Sequence, residues 1–288
     1  MRALASSPEA SFVLVGPDDL IAELPAARRV GVGAWRGEAR SAEGERARAL
    51  RAGTLAGRAI EAAAELARQG EVQALVTGPV DKHALHLAGF PWPGHTEWLA
   101  HLAGDAEVAM LLASDRLRVA LLTTHVALRD VPALLTTDRI VRTGRVVAQG
   151  LRVWFGIERP RLALCALNPH AGESGLFGDE EDRILRPAAE VLGAAGPLPA
   201  DTVFVKALRG EFDAVLAPYH DVGMTAIKVA SFGHAVNVTL GLPYPRTSPD
   251  HGTALDIAGQ GKADASSMTA AVRLAVEFSG RALQRAGG

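Results

Sequence analysis

The sequence is poor in cysteine and in long apolar runs, and each shortage excludes a class of protein. A single cysteine, Cys165, excludes an intramolecular disulfide framework and a multi-cysteine zinc site, and it fits a reducing cytoplasm. No apolar run approaches the roughly 20 residues that span a bilayer, and the N-terminus lacks the pattern of a signal peptide. The 30 basic and 32 acidic residues leave no excess positive charge for nucleic acid or an anionic membrane. We therefore expect a cytoplasmic protein that binds neither.

What the sequence does contain is an apolar fraction of 48%, arranged as short runs that alternate with helical patterns. Most of the runs are continuous rather than alternating, which is typical of strands buried on both faces of a parallel or mixed sheet. The predicted strands are 12–15, 73–76, 108–113, 118–124, 161–167, 214–217 and 235–240, and helical patterns include 133–149 and 179–192. This alternation predicts an α/β layered fold with ligands beyond the carboxyl ends of the strands.

Three of these apolar runs each lead into a histidine: His125 after VALLTT, His170 after LALCALNP and His220 after AVLAPY. In an open parallel sheet the residues that follow the strands gather at one edge. Neutral imidazole is the commonest metal ligand, and three imidazoles leave positions open for a substrate. The pattern favours either a divalent metal site or a proton-transfer cluster without metal, and the residues alone do not decide between them.

Further polar groups lie downstream of His220. Lys228, Asn237 and Arg246 supply an ammonium, an amide and a guanidinium at nine-residue intervals. Together they could clamp a small anionic substrate, with Arg246 suited to two-pronged binding of a phosphate or carboxylate. No GxGxxG string follows any predicted strand, so a Rossmann nucleotide site is not supported.

Ordered motifs across residues 71–268 resemble a known family. TGPVDK, GHTE, TTHVALRD, LNPHAGE, YHD and VNVTLGLPYPRTSPDHGTALDIAGQGKAD closely resemble the 4-hydroxythreonine-4-phosphate dehydrogenases of pyridoxal phosphate biosynthesis. The resemblance implies a two-lobed α/β/α fold with mixed, mostly parallel sheets, like that of isocitrate and isopropylmalate dehydrogenases. It also implies a homodimer with active sites shared between subunits. We place the first lobe at residues 1–92 plus 255–288, and the second, with the metal site and dimer interface, at 93–254.

The same resemblance assigns roles to single residues. It implies one divalent metal ion per site (zinc, magnesium or cobalt), with one ligand from the partner subunit; the ligands would be His125, His170 and His220, the last being the partner's contribution. The substrate-binding positions would be His95, Thr96, Lys228, Asn237 and Arg246, and Lys228 would also be the catalytic proton carrier. A likeness to the segment of isopropylmalate dehydrogenases that holds the NAD adenosine gives candidates for NAD or NADP: His251, Gly252, Thr253, Ala254, Asp256 and Asp264.

The implied reaction is NAD-dependent oxidation and decarboxylation of 4-phosphooxy-L-threonine to 3-amino-2-oxopropyl phosphate. The alternatives are a dehydrogenase of threonate or erythronate phosphate or of a dihydrodiol, a metal-dependent hydrolase or lyase, and a non-catalytic relative. Members of the family usually begin with a strand and a GDPxGIGPE loop, and this sequence starts near what would be the second strand, FVLVGPDD. We expect either a truncated reading frame or a member that dispenses with that segment. The sequence also has HDVGMTAIK where many members read HDQGL.

Overall fold

The computed structural model describes residues 2–35, 44–231 and 234–286, and the chain divides into two compact units. Unit 1 comprises Met1–Ala106 and Leu242–Gly287, and unit 2 comprises Glu107–Gly241. The boundaries expected from the sequence lie at 92/93 and 254/255. Residues 95–102 form a helix that contacts the long helix of unit 1, and Arg246 and Thr247 pair with a strand of unit 1.

The secondary structure of the described residues is as follows. The strands are β1 Val13–Gly16, β2 Arg28–Gly31, β3 Leu75–Val76, β4 Ala109–Ala113, β5 Arg118–Leu121, β6 Leu162–Cys165, β7 Ala195–Leu198, β8 Ala214–Ala217, β9 Val236–Leu240 and β10 Arg246–Pro249. The helices are α1 Arg2–Ala5, α2 Asp18–Ile21, α3 Glu45–Arg68, α4 Lys82–Leu87, α5 His95–Leu102, α6 Val131–Leu134, α7 Thr137–Val153, α8 Arg186–Leu192, α9 Ala200–Leu208, α10 His220–Ser231 and α11 Ser266–Ala286. A π-helical turn, Glu181–Leu185, precedes α8. Among these helices none is both long enough and apolar enough to cross a membrane.

Unit 1 contains two pairs of parallel strands and a group of packed helices. β1 pairs with β2, and β10 pairs with β3 so that Arg246 lies opposite Leu75. The long helix α3 approaches α4 closely, because a Cβ atom at Gly53 would lie 1.8 Å from the carbonyl oxygen of Ala84. Only glycine fits at that position. This packing positions α4, which begins at Lys82, the last residue of the TGPVDK motif.

Unit 2 is built on six strands in the order β9-β4-β5-β8-β6-β7. β4 is antiparallel to β5 and β9, whereas β5, β8, β6 and β7 run parallel to one another. All four residues of β6 and of β8 are buried, as their continuous apolar sequences predict. The helix α7 packs closely on β9, because a Cβ atom at Gly150 would lie 2.6 Å from Leu240 Cδ2. The prediction of an α/β fold with mixed, mostly parallel sheets is confirmed.

Candidate functional site

The three histidines follow three neighbouring parallel strands of unit 2, with β8 between β5 and β6. His125 lies four residues after the end of β5, His220 three residues after β8, and His170 five residues after β6. Because the carboxyl ends of parallel strands meet at one edge of a sheet, all three histidines lie on loops or helix starts at the same edge. This edge is where ligands of α/β proteins bind.

Two of the three histidines lie side by side. The ring centroids of His125 and His220 are 5.7 Å apart. Nδ1 of His220 lies 2.6 Å from Oδ1 of Asp221, the next residue in the first turn of α10. A carboxylate on one ring nitrogen fixes the orientation of the imidazole and leaves Nε2 for a ligand, which is the usual arrangement around metal-binding histidines.

His170 is held by its own loop. Its Nδ1 lies 2.9 Å from Oε2 of Glu173, and both side chains are exposed. In the described part of the chain, no three His, Cys, Asp or Glu side chains lie close enough together to hold a metal ion. His125 and His220 therefore fit two ligands of one ion, and the structure does not bring His170 into the same group.

Lys228 and Asn237 are the other predicted substrate residues of unit 2. Lys228 is exposed on α10, eight residues after His220. Asn237 lies on β9, and its Oδ1 is buried without a hydrogen-bond partner among the described residues. An unsatisfied buried acceptor costs about 1–3 kcal/mol. This oxygen is therefore suited to accept a hydrogen bond from a bound ligand.

Unit 1 contains a second group of predicted residues, built around Arg246. This residue begins β10 and is only 3% exposed. Its Nε and Nη2 donate to Oγ1 of Thr77 at 3.2 and 2.5 Å. Burial lowers the pKa of Arg246 to about 10, while the nearby Glu97 carboxylate acts in the opposite direction. The guanidinium therefore remains charged at neutral pH.

His95 lies close enough to Arg246 to feel its charge. Burial, together with the positive charges of Arg246 and Lys82, lowers the pKa of His95 to about 3. The imidazole is consequently neutral at physiological pH, with one nitrogen as a donor and the other as an acceptor. A neutral imidazole beside two cations is suited to a negatively charged ligand, and we call this group of residues the anion site.

Three residues of the anion site were not predicted individually from the sequence: Thr77, Lys82 and Glu97. Thr77 and Lys82 are the first and last residues of TGPVDK, and Glu97 is the last residue of GHTE. Thr96, which was predicted, is partly buried in the first turn of α5 between His95 and Glu97. Their location inside these motifs was the only indication in the sequence that Thr77, Lys82 and Glu97 belong to the site.

The predicted cofactor residues lie on one largely exposed stretch of unit 1, 251–264. Ala254 has a left-handed backbone with φ of 47°, immediately before a short turn that contains Asp256. Both carboxylate oxygens of Asp264 accept hydrogen bonds at 2.9 Å from Ser266, one from its backbone N–H and one from its hydroxyl. Asp264 therefore supports the start of α11, whereas the exposed Asp256 carboxylate is suited to the hydroxyl groups of a nucleotide ribose.

Comparison with known proteins gives consistent matches. Residues 43–275 match the family described as pyridoxal phosphate biosynthetic protein PdxA. The 4-hydroxythreonine-4-phosphate dehydrogenase of Desulfosudis oleivorans is 50% identical over 224 residues, which are 76% of this chain and 66% of that protein. The D-threonate 4-phosphate dehydrogenase of Salmonella typhimurium is 48% identical over 232 residues, which are 79% of this chain and 71% of that protein. The crystal structure of 4-hydroxythreonine-4-phosphate dehydrogenase from Klebsiella pneumoniae matches with a TM-score of 0.77 and 41% identity, over 96% of this chain and 86% of that chain.

The chain spans 66% of the length of the first of these relatives. The matched residues 43–275 nevertheless include the histidines at the strand ends of unit 2 and the group around the buried Arg246 of unit 1. The match covers far more than half of the chain, and the chain belongs to the PdxA family of pyridoxal phosphate biosynthetic proteins.

Proposed function

We propose that the chain is an NAD(P)- and divalent-metal-dependent dehydrogenase that oxidises and decarboxylates 4-phosphooxy-L-threonine to 3-amino-2-oxopropyl phosphate. The observation that carries this proposal is the anion site of unit 1, where a buried guanidinium lies near a neutral histidine. A buried arginine with its planar donors is suited to a phosphate or carboxylate. The names of the relatives, which describe phosphorylated hydroxy acids, agree with such a ligand.

Each polar residue has a defined task in this proposal. Arg246, oriented by Thr77, binds an anionic group of the substrate. His95 forms hydrogen bonds without adding charge, because its pKa of about 3 keeps the ring neutral. The buried Oδ1 of Asn237 accepts a hydrogen bond from the substrate. Lys228 holds the proton that is transferred to the carbon from which carbon dioxide leaves.

The proposed metal and cofactor also have their own residues. His125 and His220 would hold the divalent ion through Nε2, with His170 as the third ligand. Asp221 would keep the His220 ring in the required orientation. When bound, the ion supplies Lewis acidity at the hydroxyl oxygen and NAD(P) accepts the hydride. The residues proposed to hold the nucleotide are those of the exposed stretch: His251, Gly252, Thr253, Ala254, Asp256 and Asp264.

We further propose a homodimer with active sites shared between subunits. The incomplete ligand group supports it, because only two of the three predicted ligands lie together in one chain. Exposed apolar side chains on the loops after β5 and β6 support it as well, since a second subunit would cover them; they are Val126, Leu128, Leu176 and Phe177. The proposed location is the cytoplasm, which suits the single buried cysteine.

Mixing of inactive variants tests the sharing of sites. His125→Ala, His170→Ala and His220→Ala should each be inactive as homodimers. When two variants are mixed, activity returns only if both substitutions lie in the same active site of the mixed dimer, because the other site then has all its ligands. If the partner supplies His220, His125→Ala recovers with His220→Ala. If the side-by-side pair belongs to one site, His125→Ala instead recovers with His170→Ala. Random exchange makes half of the dimers mixed with one intact site each, so recovery reaches about one quarter of wild-type activity. No recovery, despite exchange of labelled subunits, would refute sharing.

Formation of NADH tests the reaction itself. The purified protein, with zinc, magnesium or cobalt, should reduce NAD or NADP in the presence of 4-phosphooxy-L-threonine. The second candidate substrate is D-threonate 4-phosphate, favoured by the relative that is 48% identical. Turnover of either substrate without reduction of the nucleotide would place the chain among metal-dependent hydrolases or lyases. No turnover of either by folded, metal-loaded protein would refute the proposal.

A further inference from the structure

We infer that Glu181 is a positioning residue for His170, because its buried carboxylate anchors the backbone from which the histidine-bearing turn departs. The turn, residues 170–174, lies directly after β6 and its short connection. This inference rests on the proposed function, in which His170 is a metal ligand. No part of the proposed chemistry requires Glu181 to contact the substrate or the metal ion.

The anchoring contacts of Glu181 are three hydrogen bonds. Its Oε1 accepts from the backbone N–H of Leu167 at 2.9 Å and of Asn168 at 2.7 Å. Its Oε2 accepts from the side-chain Nδ2 of Asn168 at 2.9 Å. The residue is only 2% exposed, and burial of a carboxylate is costly unless such donors compensate for the lost water. These bonds fix the chain two residues before His170.

The turn itself has an unusual backbone that needs support. His170, Ala171, Gly172, Glu173 and Ser174 are all left-handed, with φ between 43° and 83°. Left-handed backbone is sterically unfavourable for residues other than glycine, and four of these five residues carry a Cβ atom. Such a conformation persists only where the surrounding structure imposes it.

Glu181 lies against this turn as well as before it. A Cβ atom at Gly172 would lie 3.0 Å from Oε2 of Glu181, so the carboxylate is next to the middle of the turn. Asn168 is held from a second side, since its Nδ2 also donates to Oε2 of Glu180 at 2.8 Å. Glu181 also begins the π-helical turn, and such irregular turns are frequent at functional sites.

The test compares Glu181→Gln with Glu190→Gln, which removes the same charge from an exposed position on α8. In Glu181→Gln the side chain keeps one carbonyl oxygen, but its amide NH₂ group replaces the oxygen that faces Nδ2 of Asn168. Two donors then face each other, so this hydrogen bond is lost. Hydrogen exchange of the amides of residues 168–178 should become faster in Glu181→Gln. Affinity for Co²⁺, measured by titration calorimetry and by the visible Co²⁺ spectrum, should fall about 10- to 100-fold. Glu190→Gln should change neither.

A double variant separates positioning from general destabilisation. If Glu181 acts through His170, the combination of His170→Ala with Glu181→Gln should bind Co²⁺ as weakly as His170→Ala alone. An equal further loss from Glu181→Gln in the His170→Ala background would overturn the inference, because the effect would not pass through the histidine. Unchanged exchange and unchanged affinity in Glu181→Gln would overturn it as well.

Two further outcomes are distinguished. If Glu181→Gln does not fold, Asn168→Ala replaces it, because this variant removes one of the three donors and should show the same changes at smaller size. If His170→Ala binds Co²⁺ like the wild type, the ligand role of His170 in the proposed function is wrong. Anchoring of the turn by Glu181 is then decided by hydrogen exchange alone.

Discussion

Replacement of Arg246 by lysine separates the charge of the anion site from its geometry. The guanidinium is buried and places two nitrogens on Oγ1 of Thr77. A lysine keeps the positive charge but cannot donate to Thr77 and to a substrate anion with the same planar arrangement. Loss of one charge-assisted hydrogen bond to the substrate, about 1.5–3 kcal/mol, raises KM about 10- to 150-fold. Because the bond serves the ground state and the transition state alike, kcat should change little.

The assay is steady-state kinetics with varied phosphorylated substrate, together with urea unfolding. Arg273→Lys is the matched control, since Arg273 is exposed on α11 of the same unit. Thr77→Val leaves Arg246 in place without its hydroxyl partner, and we expect a smaller rise in KM. A KM within twofold of wild type for Arg246→Lys, with unchanged urea stability, would refute the assignment of Arg246 to substrate binding.

Three further predictions concern buried groups. Because the pKa of His95 is depressed, the unfolded chain binds a proton between pH 3 and 6.5 that the folded chain does not bind. The contribution of His95 to the free energy of unfolding should therefore be complete above pH 6.5 and should fall by about 1.4 kcal/mol per pH unit toward pH 3. His95→Gln should reduce this slope in urea unfolding, and an identical slope would contradict the depressed pKa. Asn237→Leu should raise the free energy of unfolding by about 1 kcal/mol by removing an unsatisfied acceptor, and should lower kcat/KM; a loss of stability would mean that Oδ1 has a structural partner. Burial, with a smaller contribution from Glu181, raises the pKa of the Cys165 thiol to about 12. A disulfide reagent at pH 8 should therefore label Cys165 only after unfolding, and labelling of the native protein would disprove its burial.

The strands that the sequence predicted are those whose burial comes from their own apolar residues. β6 and β8 are buried along their whole length and have continuous apolar sequences. β10 is equally buried but has the sequence RTSP, which no strand pattern identifies. Its polar groups are satisfied by distant partners, as where the hydroxyl of Thr247 donates to the carbonyl oxygen of Ala271 at 2.8 Å. Hydrogen bonds across 24 residues leave no periodicity in the sequence.

For the candidate site, the sequence predicted which residues lie at the sheet edge but not the distances between them. The position of the histidines after apolar runs correctly placed all three at one edge of the sheet, because strand direction follows from the parallel arrangement. The distance between His125 and His220 was not predictable, since it depends on the neighbouring positions of β5 and β8. Nor was the left-handed turn at His170, because only Gly172 in the string HAGES favours that backbone.

The two groups of polar residues differ in what holds them in place. In unit 1 the charged atoms of Arg246 are buried and hydrogen-bonded, so this residue, proposed to bind the anion, also belongs to the core. In unit 2 His125 and His170 are exposed, and the turn that carries His170 is held by a carboxylate that is itself buried. A substitution of Arg246 should therefore change stability together with the proposed substrate affinity. Substitutions of the exposed histidines should therefore change the proposed metal affinity with little effect on stability. Glu181 is the buried group that ties the turn of His170 to the backbone of Leu167 and Asn168.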